Sequence, residues 1–160
     1  MKSNTNEHGF SLIELLIVVT IIGIIASMAI PNLLASRRAA NEGSAISSIR
    51  TIASGQFTYQ MTTGNGAYAP DLTTLKNVNI VDSVLGGGTK SGYSFAIVGQ
   101  AGTGSSAVFG AKAVPTTTSG VGKTGTRRFG AVEDGIIRGD TTIGTDPNTR
   151  ALISAMPALN

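Results

Sequence analysis

The chain has no cysteine, no tryptophan and a single histidine, and only 13% of its 160 residues are charged. Without cysteine there are no disulfides, no thiolate metal sites and no cysteine nucleophiles, so a domain exported from the cell must hold together without covalent staples. His8 alone cannot supply a catalytic triad or a zinc site. Lysine and arginine exceed aspartate and glutamate by a net +3, but they are scattered along the chain, which does not indicate a nucleic-acid surface. Aromatic residues are also sparse. In the N-terminal part only Phe10, Phe57 and Tyr59 occur, leaving a gap of about 45 residues, or about 70 Å of helix, which excludes a closely spaced aromatic row for electron transport.

The chain does have a long apolar run. Phe10 to Ile30 carries one charged side chain, Glu14, and at about 1.5 Å per helical residue it spans about 30 Å, the thickness of a bilayer core. A secretory signal peptide has a shorter apolar stretch and a small-x-small site behind it; Ala26, Ser27 and Ala29 mark cleavage near Ala29 as the minor alternative. Charge counting sets Lys2 and the α-amine against Arg37 and Arg38 and does not decide the orientation. Pro31 has no amide hydrogen for the Ser27 carbonyl, and Gly23 weakens the helix by roughly 1 kcal/mol relative to alanine. The two bracket a stretch expected to kink or to melt when copies pack.

Gly9-Phe10-Ser11-Leu12-Ile13-Glu14, followed by the unbroken apolar run and Pro31, resembles the N-terminus of type IV pilins and pseudopilins, with a leader of the class III signal type. The resemblance implies that prepilin peptidase removes residues 1–9 by cutting between Gly9 and Phe10, and that the new amine of Phe10 is methylated. The leader departs from the family in having Asn6, Glu7 and His8 where basic residues are usual. The resemblance also implies a prepilin in the bacterial inner membrane, crossing once with its C-terminal part outside the cytoplasm, and a cell-surface filament after assembly.

After such a cut Glu14 lies about one helical turn from the new amine. An isolated carboxylate at the centre of a span costs about 2.5 to 3.5 kcal/mol, and less near an end. One reading places Glu14 at the interface, favoured by the helix dipole. The other gives it the Phe10 amine of a neighbouring copy, which removes both desolvated charges and fixes the stagger between copies. The family's glutamate is assigned that assembly role.

Beyond the run, Ile46, Ile49, Ala53, Phe57 and Met61 recur at helical spacing and predict an amphipathic continuation with one apolar stripe. The helix then covers about 50 residues and ends at Gly64-Asn65-Gly66. Asp71 is a helix-capping candidate ahead of Leu72 to Lys76. Strands are predicted over Tyr93 to Val98, Ala107 to Val114, Arg128 to Val132 and Ile136 to Arg138, the last two joined by Asp134-Gly135. The fold class is α+β, a long N-terminal helix packed against a small antiparallel sheet, the pilin fold. Its expected divisions are a leader over 1–9, a membrane and filament-core half over 10–34, an amphipathic half over 35–62 and a globular head over 63–160, in which 141–160 has no assigned element.

Other chemistry is weak. Gly122-Lys123-Thr124 resembles a P-loop ending, but Thr117 stands where the first glycine belongs and no helix follows, so the segment reads as a flexible hairpin loop. Gly99 to Gly104 lacks the dinucleotide spacing. Glu133, Asp134, Asp140 and Asp146 match no calcium loop and read as solvated turns. Arg127 and Arg128, adjacent on a strand, point to opposite faces. The reading is therefore a non-enzymatic filament subunit of a type IV pilus, for adhesion, motility or DNA uptake, with no metal or cofactor. Its partners are copies of itself, prepilin peptidase, an assembly platform and, before assembly, membrane lipid. The rivals are a pseudopilin of a type II secretion system and a membrane-anchored binding module.

Overall fold

The computed structural model describes residues 10–159. The chain divides into two compact units, 1–36 and 37–160, and one helix, α1 (Leu12–Met61), contributes to both. In the first unit α1 is apolar on all sides, and its membrane-length window has none of its surface buried. It runs unbroken through Gly23 and Pro31 in the single chain.

In the second unit the sequence alternates short capped helices with strands: α2 (Leu72–Asn77), α3 (Ser83–Gly86), β1 (Thr89–Lys90), β2 (Tyr93–Ala101), β3 (Val108–Pro115), β4 (Arg128–Val132), β5 (Ile137–Asp140) and α4 (Arg150–Ser154). The strands form an antiparallel meander in the order β1-β2-β3-β4-β5. Register places Phe95, Ala113, Phe129 and Gly139 in one cross-strand row and Ile97, Ala111, Ala131 and Ile137 in the next. In the first row large side chains alternate with small ones, and in the second two alanines lie between two isoleucines. A Cβ on Gly139 would come within 2.8 Å of the Phe129 ring. Together with Phe109 these rows form the core with Ala45, Ile49, Ile52 and Ala53 of α1.

The helix face differs from the predicted stripe. Glu42, Ala45, Ile49, Ile52 and Gln56 are its buried line, whereas Met61 is exposed and Ile46 and Phe57 only half-buried. Phe57 sits at the edge of the core, where its ring meets Tyr68 and Phe109 edge-on. Gln56 belongs inside because its side-chain amide bonds both the N–H and the C=O of Ala69. Asn65 and Gly66 both have positive φ, the turn chemistry expected at the end of α1. Asp71 caps α2 by accepting from the Thr74 amide, as expected, and Asp82 caps the short α3, which the sequence reading did not include.

Strand edges also shift. β2 continues past Gly99, whose φ of 62° accompanies a register break between Val98 and Ala101, and β5 starts at Ile137 and ends at Asp140. The C-terminal segment, unassigned from sequence, covers the sheet's other face. There Ile153 and Met156 pack with Val132 and Val98, and Cβ atoms on Gly110 and Gly130 would stand 2.9 and 2.6 Å from Ile153. The two glycines, offset by two residues in the β3–β4 register, let α4 sit directly on the backbone. The last described residues then pair with β5, through Gly139 to Pro157 and Leu159 to Ile137.

Candidate assembly site

In the first unit Phe10, Leu12, Ile13, Leu15 and Leu16 are exposed and line the start of α1. Gly9, the other half of the predicted cleavage site, lies outside the described residues. Glu14 sits in the first turn, where its Oε2 accepts from the Ser11 amide at 3.0 Å. Ser11-Leu12-Ile13-Glu14 has the Ser-x-x-Glu pattern in which the third helical residue reaches back to the cap. That pattern was readable in the sequence and was missed. It gives the carboxylate a local partner in the single chain and leaves Oε1 available. Among the described residues no cation is paired with Glu14. Nothing lies within 4 Å of a Cβ placed on Gly23, so packing within the unit does not demand glycine there. Thr20 and Ser27 return their hydroxyls to the Leu16 and Ile24 carbonyls, which hides the remaining polar groups of the run.

The second unit holds its charges differently. Glu42 is buried on α1, and one of its oxygens accepts from the Thr126 amide and hydroxyl at 2.7 and 2.6 Å, the other from Arg127 Nε at 2.9 Å. Burial opposes its ionisation, but the Thr126 hydroxyl and amide and the Arg127 guanidinium outweigh it and hold the carboxyl below its ordinary value. Arg127 lies over the Phe129 ring, and the Tyr93 hydroxyl donates to the Arg127 carbonyl. Burial first, and the nearby Glu42 charge second, push the Tyr93 phenol up. Asn41 donates to the Thr124 carbonyl. The loop expected to be a flexible hairpin is therefore pinned to α1 at its second half.

The four acids read as solvated turns are also paired. Glu133 meets Arg150, Asp134 meets Arg138, Asp140 meets Arg128 at 2.7 Å and Asp146 meets Lys112 at 2.6 Å. Arg138 is only four residues from Asp134, whereas Arg128 reaches Asp140 across the β4–β5 hairpin and Lys112 and Arg150 come from β3 and α4, pairings that local spacing does not show. Arg127 and Arg128 do point to opposite sides, toward Glu42 and Asp140. Gly122-Lys123-Thr124 lies in the β3–β4 loop with no helix after it.

The prokaryotic N-terminal methylation motif matches residues 4–30. Over 37 residues, 23% of this chain and 28% of the relative, the sequence is 62% identical to the type IV wide pilus major component PilA4 of Thermus thermophilus. Over 49 residues, 31% of this chain and 34% of each relative, it is 37% and 41% identical to type II secretion system core protein G of Escherichia coli and of Vibrio cholerae. The matches thus span about a third of the length of these relatives and lie in their N-terminal segments. No solved structure matches. Both kinds of relative are structural subunits, not enzymes. The chain carries the N-terminal methylation motif of type IV pilins and pseudopilins and is homologous to both through the segment that holds Phe10, Glu14 and Gly23.

Proposed function

We infer that this chain is a structural subunit of a type IV pilus filament, cut by prepilin peptidase between Gly9 and Phe10, methylated on Phe10 and polymerised through the first half of α1. One observation carries this reading: a membrane-length apolar helix that buries none of its surface in its own fold and whose lone acid lacks a cation among the described residues. Such a helix needs lipid first and other copies of itself later. Cleavage exposes an α-amine with a reference pKa of about 7.7 to 8.0, mostly charged at neutral pH. That amine on the next copy meets Glu14, so each insertion penalty is relieved only in the polymer. Gly23 and Pro31 are the positions where α1 would loosen as copies pack, because one lacks a side chain and the other an amide. The chain thus starts as a single-pass inner-membrane protein with the second unit outside the cytoplasm and ends in a surface filament, through an assembly platform.

A second reading is favoured by the identity to core protein G, namely a pseudopilin of a type II secretion system built from the same N-terminal parts. The intact mass of protein sheared from cells tests both. A mass starting at Phe10 with one added methyl, in abundant surface polymers, is expected for the pilus. Processed protein that is never shed from the envelope supports the pseudopilin, and an uncut chain in the membrane overturns both.

A further inference from the structure

The second unit has a groove of about 240 Å³ between the start of α2, the Gly86–Gly88 turn and the free side of β2, lined by Asp71, Leu72, Thr73, Phe95 and Ile97. β1 pairs with Tyr93 and Ser94 of β2 and the Phe95 amide donates to the Gly88 carbonyl, so the edge is bare only beyond Phe95, where the groove opens. Asp71 is the one acid among the described residues of this unit without a cation. The other six are Glu42, Asp82, Glu133, Asp134, Asp140 and Asp146, each in an ion pair.

The β3–β4 loop shows the opposite need. Val121 is 79% exposed between Gly120 and Gly122, and Lys123 beside it has no acid partner among the described residues. The same loop is fastened behind these residues by Asn41 to Thr124 and Glu42 to Thr126, so its tip is presented rather than folded away. The loop is tied to α1 at residues 41–42, while Gln56 bonds Ala69 beside the groove, about fourteen residues or about 21 Å further along the helix.

We propose that the loop tip of one copy occupies the groove of the next, with Val121 seated over Leu72 and Ile97 and Lys123 paired to Asp71. The occupant is a second copy because Asp71 at the groove and Lys123 at the loop tip are opposite charges, neither in an ion pair among the described residues, while the apolar groove residues Leu72 and Ile97 are themselves mostly buried. They lie at different heights on one molecule, so the contact is heterologous. Each copy that fills a neighbour's groove leaves its own groove open, and such contacts propagate into open helical assemblies when the rotation between copies does not close a ring. The loop tip around Val121 in one groove belongs to the small, weak class of contacts, under about 1,200 Å². It therefore aligns subunits already gathered by α1, and it rests on the filament reading above.

The test uses the full chain, whose lack of cysteine removes any background. A Thr73→Cys and Val121→Cys double variant, oxidised mildly in its polymers, is expected to give a ladder of dimers, trimers and higher species that reductant collapses. A bridge needs Cα atoms within about 7 Å, so the ladder reports this contact. Either single variant alone is expected to stay monomeric, and a mixture of the two to stop at dimers. In the double variant Lys123→Glu should lower the ladder several-fold and Lys123→Arg should keep it. Polymers of normal yield without the ladder overturn this inference alone, as do dimers from a single variant, a bridge to a different protein, or a ladder indifferent to Lys123→Glu. No polymer from the unsubstituted chain overturns both this inference and the filament reading.

Discussion

Glu14 has one role seen in the single chain and one that the filament reading proposes, and substitution can separate them. Its carboxylate accepts from the Ser11 amide in the single chain, and its charge is proposed to pair with the amine of a neighbour. Glu14→Gln keeps an acceptor for Ser11 but no charge, whereas Glu14→Leu removes both. If charge drives assembly, the two variants lose sheared filament alike while both remain in the membrane. If the cap is what matters, Gln retains most of the yield. Glu42 is the contrasting acid, already provided for within its own fold by Thr126 and Arg127. The Asp134 and Asp140 carboxyls are likewise held below their ordinary range, chiefly by Arg138 and Arg128 respectively. With these folded pKa values depressed, the unfolded chain takes up protons first as pH falls. The stabilisation is complete above about pH 5 and is lost progressively below about pH 4. The melting midpoint of the second unit should therefore be flat at neutral pH and drop on the acid side. Glu42→Gln should be less stable by about 2 kcal/mol at pH 7, with a shallower acid limb.

Among the elements, α4 is the one whose position depends on glycine in its neighbours. A Cβ on Gly130 would stand 2.6 Å from Ile153 and 2.9 Å from the Ala111 carbonyl oxygen, and the latter is backbone that cannot swing away. Gly130→Ala is expected to cost about 1 to 3 kcal/mol through overpacking, and Ile153→Ala about 2 to 5 kcal/mol through the cavity it leaves. Thermal melts give the size. Limited proteolysis should cut the C-terminal segment first in both variants, and equal resistance to the parent chain would refute the packing role. These contacts explain why sequence reading stopped short here. α1, the Asp71 cap, β4 and the Asp134-Gly135 turn were legible because each is written in adjacent residues. Glu42 and Arg127 lie 85 positions apart, so neither spacing nor composition joins them. Gly110 and Gly130 lie within the predicted strands, and nothing adjacent to them in the chain signals that α4 packs on them. Ser11 was the reverse case, a local signal present in the chain and passed over beside the louder apolar run.

At the scale of the whole molecule, folding and assembly draw on different residues. Every buried apolar residue of the described chain lies at Ala45 or beyond, while Phe10 to Leu33 contribute only exposed apolar surface. The second unit taken by itself has a core, a sheet packed on both faces, capped helices and six ion pairs among its described residues, which is what an independent domain of this size requires. A chain beginning at Arg37 should therefore melt cooperatively in water without detergent. It should also stay monomeric at micromolar concentration, since the loop-to-groove contact is too small to hold heads together alone. The full chain should need detergent or polymerisation to remain in solution, because burying its helix is worth roughly 25 cal/mol for each Å² removed from water. Circular dichroism and sedimentation of the two chains side by side check the division. If the shortened chain fails to fold, α1 upstream of Arg37 is part of the domain; if it polymerises by itself, the heads, not the helices, drive assembly.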